Sequence, residues 1–161
     1  MQTGLETMDL SDLITPEAIV PGAKVSSKKQ ILQELAQRAA DLTGLGERQV
    51  FEVLLQRERL GSTGVGQGVA IPHGKLPGLN SVFGMFARLD KPINFDAMDD
   101  QPVDLIFLLL APEGAGADHL KALARIARVL REPGTAQKLR GCRDAAGLYA
   151  LLIQSTESNA A

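Results

Sequence analysis

The segment from Val103 to Leu110 reads Val-Asp-Leu-Ile-Phe-Leu-Leu-Leu, an almost unbroken apolar run between Pro102 and Ala111-Pro112. It is far too short to cross a bilayer. A run of this length, bounded by proline, reads as a strand whose two faces are both covered. Covering both faces takes helices on each side, and the rest of the chain offers them. Ser26 or Ser27 can cap a helix in which Ile31, Leu32, Leu35, Ala36 and Ala39 recur at helical spacing until Gly44. A second helix is expected from about Glu47 to Arg59, with Val50, Phe51, Val53, Leu54 and Leu55 on its buried side. Asp118 is expected to cap a third, with Leu120, Leu123, Ala127 and Leu130 as its apolar stripe, broken by Pro133-Gly134. Two short helices should follow, near Thr135–Leu139 and Asp144–Ile153.

Further strands are expected within Ala18 to Val25, at Val69-Ala70-Ile71 and over Ser81 to Leu89. Lys91 to Pro102 reads as a loop anchored by Ile93 and Phe95. This alternation predicts an α/β fold, a single-domain sandwich with helices on both faces of a sheet. Residues 1–8 read as a flexible N-terminus, 9–153 as the domain and 154–161 as a polar tail. With 45% hydrophobic residues in 161, the chain is long enough to bury a core without disulfides or metals. Seventeen basic and nineteen acidic side chains give a net charge of −2, which supplies no general attraction to nucleic acid or membranes. The lone Cys142 excludes an internal disulfide, and Met1 to Met8 lacks the features of a signal peptide. A cytoplasmic location without membrane insertion is expected.

The chemistry concentrates in Gly64-Val65-Gly66-Gln67-Gly68-Val69-Ala70-Ile71-Pro72-His73-Gly74-Lys75. Alternating glycines can bend closely and turn N–H groups toward an anion. Pro72 fixes its own φ and biases Ile71 toward extended backbone, so His73 is expected on a rigid stem just outside a sheet. A dinucleotide fingerprint does not fit, because a strand should precede the glycines and here Arg57-Glu58-Arg59 does. A P-loop does not fit either, because Gly74-Lys75 runs into Leu76-Pro77. His73 is thus either an idle loop histidine or a positioned reactive one.

The segment RERLGSTGVGQGVAIPHGK resembles the active-site segment of phosphotransferase-system (PTS) IIA proteins of the mannitol/fructose class. Its leading Arg-Glu-Arg-Leu-Gly-Ser-Thr-Gly is most like the nitrogen-regulatory branch. The likeness continues through Pro92-Ile93-Asn94-Phe95-Asp96-Ala97, Pro102-Val103-Asp104-Leu105 and His119-Leu120-Lys121. It implies a central mixed sheet of about five strands. It further implies that His73 is the residue phosphorylated, that His119 is a second active-site histidine and that Arg57 supports them. The implied activity is that of a bacterial phosphohistidine carrier in a phosphoenolpyruvate-dependent relay. Its expected partners are an HPr-like phosphocarrier protein (NPr) and regulatory target proteins.

Physical chemistry points to the same reaction. A neutral imidazole has a lone pair and an ordinary pKa near working pH, and phosphoryl transfer asks mainly for positioning and charge stabilisation. Ser62 and Thr63 offer hydroxyls, and Gly64 and Gly66 backbone N–H groups, for phosphate binding. Simple turn chemistry accounts for Ser62 and Thr63 equally well. Arg57 either supplies a permanent charge or offsets a helix dipole. His119, in the first turn of a helix, is expected to stay neutral, or is a plain surface histidine. No cofactor and no metal site is expected; two histidines without a third ligand make metal hydrolysis a weak alternative. Asp96, Asp99 and Asp100 read as loop residues, and Arg59, Lys75, Leu76 and Lys121 as an exposed rim. A regulatory phosphocarrier is favoured over a IIA component that serves a fructose or mannitol permease through its IIB domain, since no such domain is attached. A module that never reacts is the remaining class.

Overall fold

The structure, a computed structural model, describes residues 10–160. The expected N-terminal segment 1–8 therefore lies outside the described residues. Two 3-10 turns, Leu10–Asp12 and Pro16–Ala18, lead into β1 (Ile19–Ala23). Helix α1 (Lys28–Thr43) starts where Ser27 Oγ accepts the Gln30 N–H at 3.2 Å and stops at Gly44, whose φ of 81° only glycine adopts freely. Helix α2 (Glu47–Arg59) follows, then β2 (Gly64–Gly66), β3 (Val69–Ala70) and β4 (His73–Leu76). The long strands β5 (Phe83–Ile93) and β6 (Val103–Pro112) precede α3 (Asp118–Arg131), α4 (Pro133–Gly141) and α5 (Ala145–Ala160).

The strands form one mixed sheet in the order β1-β5-β6-β3-β2, with β4 also paired to β6. β5 runs antiparallel to β6, whereas β3 and β4 run parallel to it. The six strands occupy five lanes. β3 and β4 lie end to end on one edge of β6, Val69 opposite Leu105 and His73 opposite Leu109. Pro72 has no N–H and interrupts the ladder there, while its carbonyl still accepts from Leu109 N–H at 3.0 Å. His73, expected just outside the sheet, instead opens β4 and pairs with β6, because the chain resumes the ladder directly after Pro72.

β6 is buried at every position from Leu105 to Ala111, as its unbroken apolar run required. Helices α1 and α2 pack on each other and against β4 and β5, while α3, α4 and α5 pack together against β1, β3 and β6. Several details depart from expectation. β5 reaches Ile93 because a register shift after Arg88 absorbs Pro92 within the strand. Ala117, not Asp118, occupies the N-cap of α3. The buried stripe of α3 is Ala122, Ile126, Val129 and Leu130, and Leu120 is 57% exposed. Two residues amount to about 200° of helix turn, which puts Leu120 on the far side from Ala122. Leu76, expected on an exposed rim, is fully buried at the end of β4. The last helix continues through residues expected as a tail, to Ala160.

One close approach fixes the functional end of the sheet. A Cβ on Gly74 would stand 2.3 Å from Val53 Cγ1, so only glycine lets β4 lie against α2 at this distance. Gly74→Ala should lower stability by about 1–3 kcal/mol in urea unfolding, as overpacking does. Adding Val53→Ala should recover much of that loss; equal losses in the single and double variants would show that the approach is not the constraint.

Candidate active site

His73 opens β4, half-buried, with its ring nitrogens in defined roles. Nδ1 lies 2.8 Å from the Ile71 carbonyl oxygen. A carbonyl only accepts, so Nδ1 carries the proton. Arg57 Nε donates to Nε2 at 3.3 Å, and arginine only donates. Both contacts select the tautomer with its lone pair on Nε2. The pKa of His73 lies below its ordinary value of 6.5, first because burial disfavours the charged ring. The Ile71 carbonyl works in the opposite direction, electrostatic repulsion from Arg57 and His119 lowers the value, and Glu58 raises it.

Arg57 comes from the last turn of α2, and its Nη1 also donates to the Gly61 carbonyl at 2.8 Å. The two readings of this residue thus coexist, since it closes the end of a helix and also binds His73. His119 sits in the first turn of α3. Its Nδ1 lies 2.7 Å from the Gly116 carbonyl, which assigns the proton to Nδ1 and leaves Nε2 for the cleft. Gly116 holds a φ of 62°, a conformation that suits glycine, and so aims its carbonyl at the ring. His73, Arg57 and His119 line one open cleft of about 530 Å³ with Gln56, Arg59 and Lys75.

The expected phosphate donors divide. Ser62, Thr63 and Gly64 line a second hollow beside His73 and Arg57, floored by Leu123 and Ala127 of α3. Their donors are already engaged. Ser62 Oγ donates to the Phe95 carbonyl at 2.7 Å and accepts from Gly64 N–H at 3.0 Å. Thr63 N–H donates to Glu58 Oε1 at 3.1 Å, and its hydroxyl donates to Glu58 Oε2. Gly66 is elsewhere. The alternating glycines do not make an anion-binding turn; they make the β2–β3 hairpin, with Gln67 and Gly68 at φ of 59° and 81°. Gly66 pairs with Val69, which lies opposite Leu105, whereas His73 lies opposite Leu109, about 13 Å further along β6. The hairpin tip binds Asp99, whose Oδ2 accepts Gln67 N–H at 3.0 Å, and Arg140, whose Nη2 donates to the Gln67 carbonyl at 2.9 Å.

Sequence reasoning passed over three contributors. The Ile71 carbonyl leaves no mark in a side-chain pattern. Gly74 is visible as a glycine after the histidine, yet its contact with Val53 is not. Glu58 reads as one charge in Arg57-Glu58-Arg59 but is buried. Among the described residues no group of three or more His, Cys, Asp or Glu side chains could hold a metal ion. Among them also, no helix is long and apolar enough to cross a membrane.

A neutral histidine, an arginine on its lone pair and a second histidine thus line one cleft at the edge of a mixed sheet. Residues 12–155 match the family model described as "Phosphoenolpyruvate-dependent sugar phosphotransferase system, EIIA 2", and the chain belongs to that family. Within it, the chain is 70% identical over 145 residues to a nitrogen regulatory protein of Bradyrhizobium diazoefficiens, covering 90% of this chain and 95% of that one. It is 37% identical over 136 residues to a fructose-specific EIIA component of Haloferax volcanii, covering 82% and 88%. The crystal structure of nitrogen regulatory protein IIA-Ntr from Neisseria meningitidis superposes with a TM-score of 0.84 at 38% identity, covering 89% and 98%.

The titration of His73 follows from the geometry. As pH falls through 6.5, the unfolded chain protonates this imidazole before the folded chain does. Stability therefore declines until the folded ring also takes its proton. An NMR titration should give a His73 midpoint below 6.5, and Arg57→Ala should move it upward. A midpoint at or above 6.5 in the unaltered protein would contradict the assignment of burial and Arg57 as its causes.

Proposed function

We propose that this protein is a phosphohistidine carrier that accepts a phosphoryl group on Nε2 of His73 from an HPr-like phosphocarrier protein and reports its phosphorylation state to regulatory partners. The observation that carries the reading is the double constraint on the imidazole, Nδ1–H on the Ile71 carbonyl and a lone pair on Nε2 beside Arg57.

The transfer runs as follows. Nε2 attacks the donor's phosphorus in line. The new P–Nε2 bond forms as the donor's P–N bond breaks, and that electron pair returns to the donor's ring. Positive charge builds on the His73 ring, and the Ile71 carbonyl stabilises it through the Nδ1–H. Arg57 loses its acceptor when the lone pair becomes a bond, and its Nε–H turns to a phosphoryl oxygen. The guanidinium has five N–H donors, of which the contacts to His73 and Gly61 use two, so others remain for the transferring group. His119 donates to a phosphoryl oxygen from Nε2 when that nitrogen is protonated, since Nδ1 is held by Gly116. Ser62, Thr63 and Gly64 brace the wall of the site.

The surface around the cleft suits protein partners. Leu60 is 85% exposed and Leu120 57%, one at the end of α2 and the other next to His119. Exposed Arg59, Lys75 and Lys121 lie beside them in sequence or in the cleft. A phosphoryl group brings about −1.5 to −2 charges into this basic rim, enough to change the preference of a charged partner. The similarity to nitrogen regulatory proteins supports a regulatory output, with a cytoplasmic relay as its setting. The likeness to a fructose-specific EIIA component supports a second reading, delivery of the group to a permease IIB domain.

Incubation with phosphoenolpyruvate and the general phosphotransferase proteins should add one acid-labile, base-stable phosphoryl group, absent in His73→Ala. Arg57→Ala and His119→Ala should fold and be labelled on the order of 100-fold more slowly, the usual loss for one such donor. Label on another residue, or full rates in both variants, would overturn the assignment. Rapid onward transfer to a fructose-type IIB domain would favour the second reading.

A further inference from the structure

Glu58 is a carboxylate with only 7% of its surface exposed, placed in the last turn of α2. A negative charge is unfavourable at that end of a helix and costly to bury unless paired. Here three donors converge on it. Thr63 N–H reaches Oε1 at 3.1 Å, the Thr63 hydroxyl reaches Oε2, and Lys28 Nζ at the start of α1 lies 2.9 Å from Oε1. Lys28 also stands 4.8 Å from the centre of the Phe95 ring, and the Phe95 carbonyl accepts the Ser62 hydroxyl. The turn between α2 and β2 is thereby tied at both Ser62 and Thr63, and Arg57 grips the same turn through the Gly61 carbonyl.

We propose that Glu58 is a positioning residue of the phosphoryl-transfer site: by anchoring Thr63 and pairing with Lys28, it fixes the Gly61–Thr63 turn so that Arg57 stays on Nε2 of His73. This rests on the proposed role of His73 for its functional meaning, while its structural content stands on the Arg57–His73 contact alone. Arg57 is a long side chain with much rotamer freedom, and its Nη1 contact holds it only if Gly61 is itself held. Glutamine could not replace Glu58. It would lose the charge that pairs with Lys28, and its NH₂ could meet the Thr63 hydroxyl only if that hydroxyl turned from donating to accepting.

The charged and titratable groups that act on His73 are Arg57 and Glu58 from α2 and His119 from α3, and Arg59 of α2 and Lys75 of β4 line the same cleft. Arg57 lowers the His73 titration more than Glu58 raises it. The sign of the response to Glu58→Gln therefore separates two roles. Release of Arg57 raises the midpoint despite the lost negative charge. A carboxylate that acts only as a nearby charge, or only as packing, lowers the midpoint or leaves it unchanged.

The test follows the His73 ring and the Arg57 Nε–H by NMR in the unphosphorylated protein, in wild type, Glu58→Gln, Thr63→Val and Thr63→Ser. We expect a raised His73 midpoint and faster solvent exchange of Arg57 Nε–H in Glu58→Gln and Thr63→Val, with Thr63→Ser like wild type. Thr63→Val keeps the charge of Glu58 and carries the test if Glu58→Gln fails to fold. A lowered or unchanged midpoint with an unaltered Arg57 signal in the folded variants overturns the proposal. Labelling kinetics then form a cycle. Glu58→Gln should slow phosphorylation about tenfold in the wild-type background and less than about twofold in Arg57→Ala, because the two act as one unit. Equal slowing in both backgrounds also overturns it. If Arg57→Ala is labelled at the full rate, the reading of Arg57 in transfer fails, while the NMR result on positioning still stands.

Discussion

The hydrogen bond from His73 Nδ1–H to the Ile71 carbonyl is the contact on which the functional reading depends. It spans only two residues, and its geometry is set by Pro72 between them. Pro72 fixes the backbone, keeps Ile71 extended, and aims that carbonyl back at the ring. One short segment thus chooses the nitrogen that holds the proton and, by elimination, the nitrogen that holds the lone pair. Burial reinforces the choice by keeping the ring neutral. The second constraint, Arg57 on Nε2, comes from another element and can be brought up only if α2 lies close to β4.

That closeness explains why the sheet is built as it is. β6 is covered on both faces and provides a rigid edge along which β3 and β4 lie in register. The missing N–H of Pro72 does not release the strand, because Leu109 N–H still holds the Pro72 carbonyl and His73 keeps its register opposite Leu109. Gly74 then removes the side chain that would push α2 away. Beneath the turn after α2, buried Glu58, paired with the partly exposed Lys28, supplies a polar anchor in place of an apolar one. Phosphoryl transfer benefits from such rigidity, since the protein's contribution is largely placement of charge and atoms already in line.

Much of the fold is legible in the sequence because its signals are local and strong. The apolar run of β6, the Ser27 cap, the left-handed Gly44 and the spacing in α1 each point one way. His73, Arg57 and His119 stand out in the sequence only through the resemblance of their motifs, and the structure places the three around one cleft. The errors have physical causes. Alternating glycines serve a β-hairpin as readily as an anion nest, and only pairing with β6 decides between them, which leaves Gly66 in the hairpin and away from His73. Ser62 and Thr63 are near His73, but their hydroxyls go to Phe95 and Glu58, partners 33 and 5 residues away that no local pattern reveals. Leu120 reads as core by type, while its phase on α3 turns it outward.

The central claim is that the resting His73 is a neutral imidazole with its proton on Nδ1 and its lone pair on Nε2. Long-range proton–nitrogen correlation of the unphosphorylated protein at neutral pH measures this directly. The account predicts a protonated, pyrrole-type signal for Nδ1 and a pyridine-type signal for Nε2. The reverse pattern, or equal averaged shifts for the two nitrogens, would contradict it.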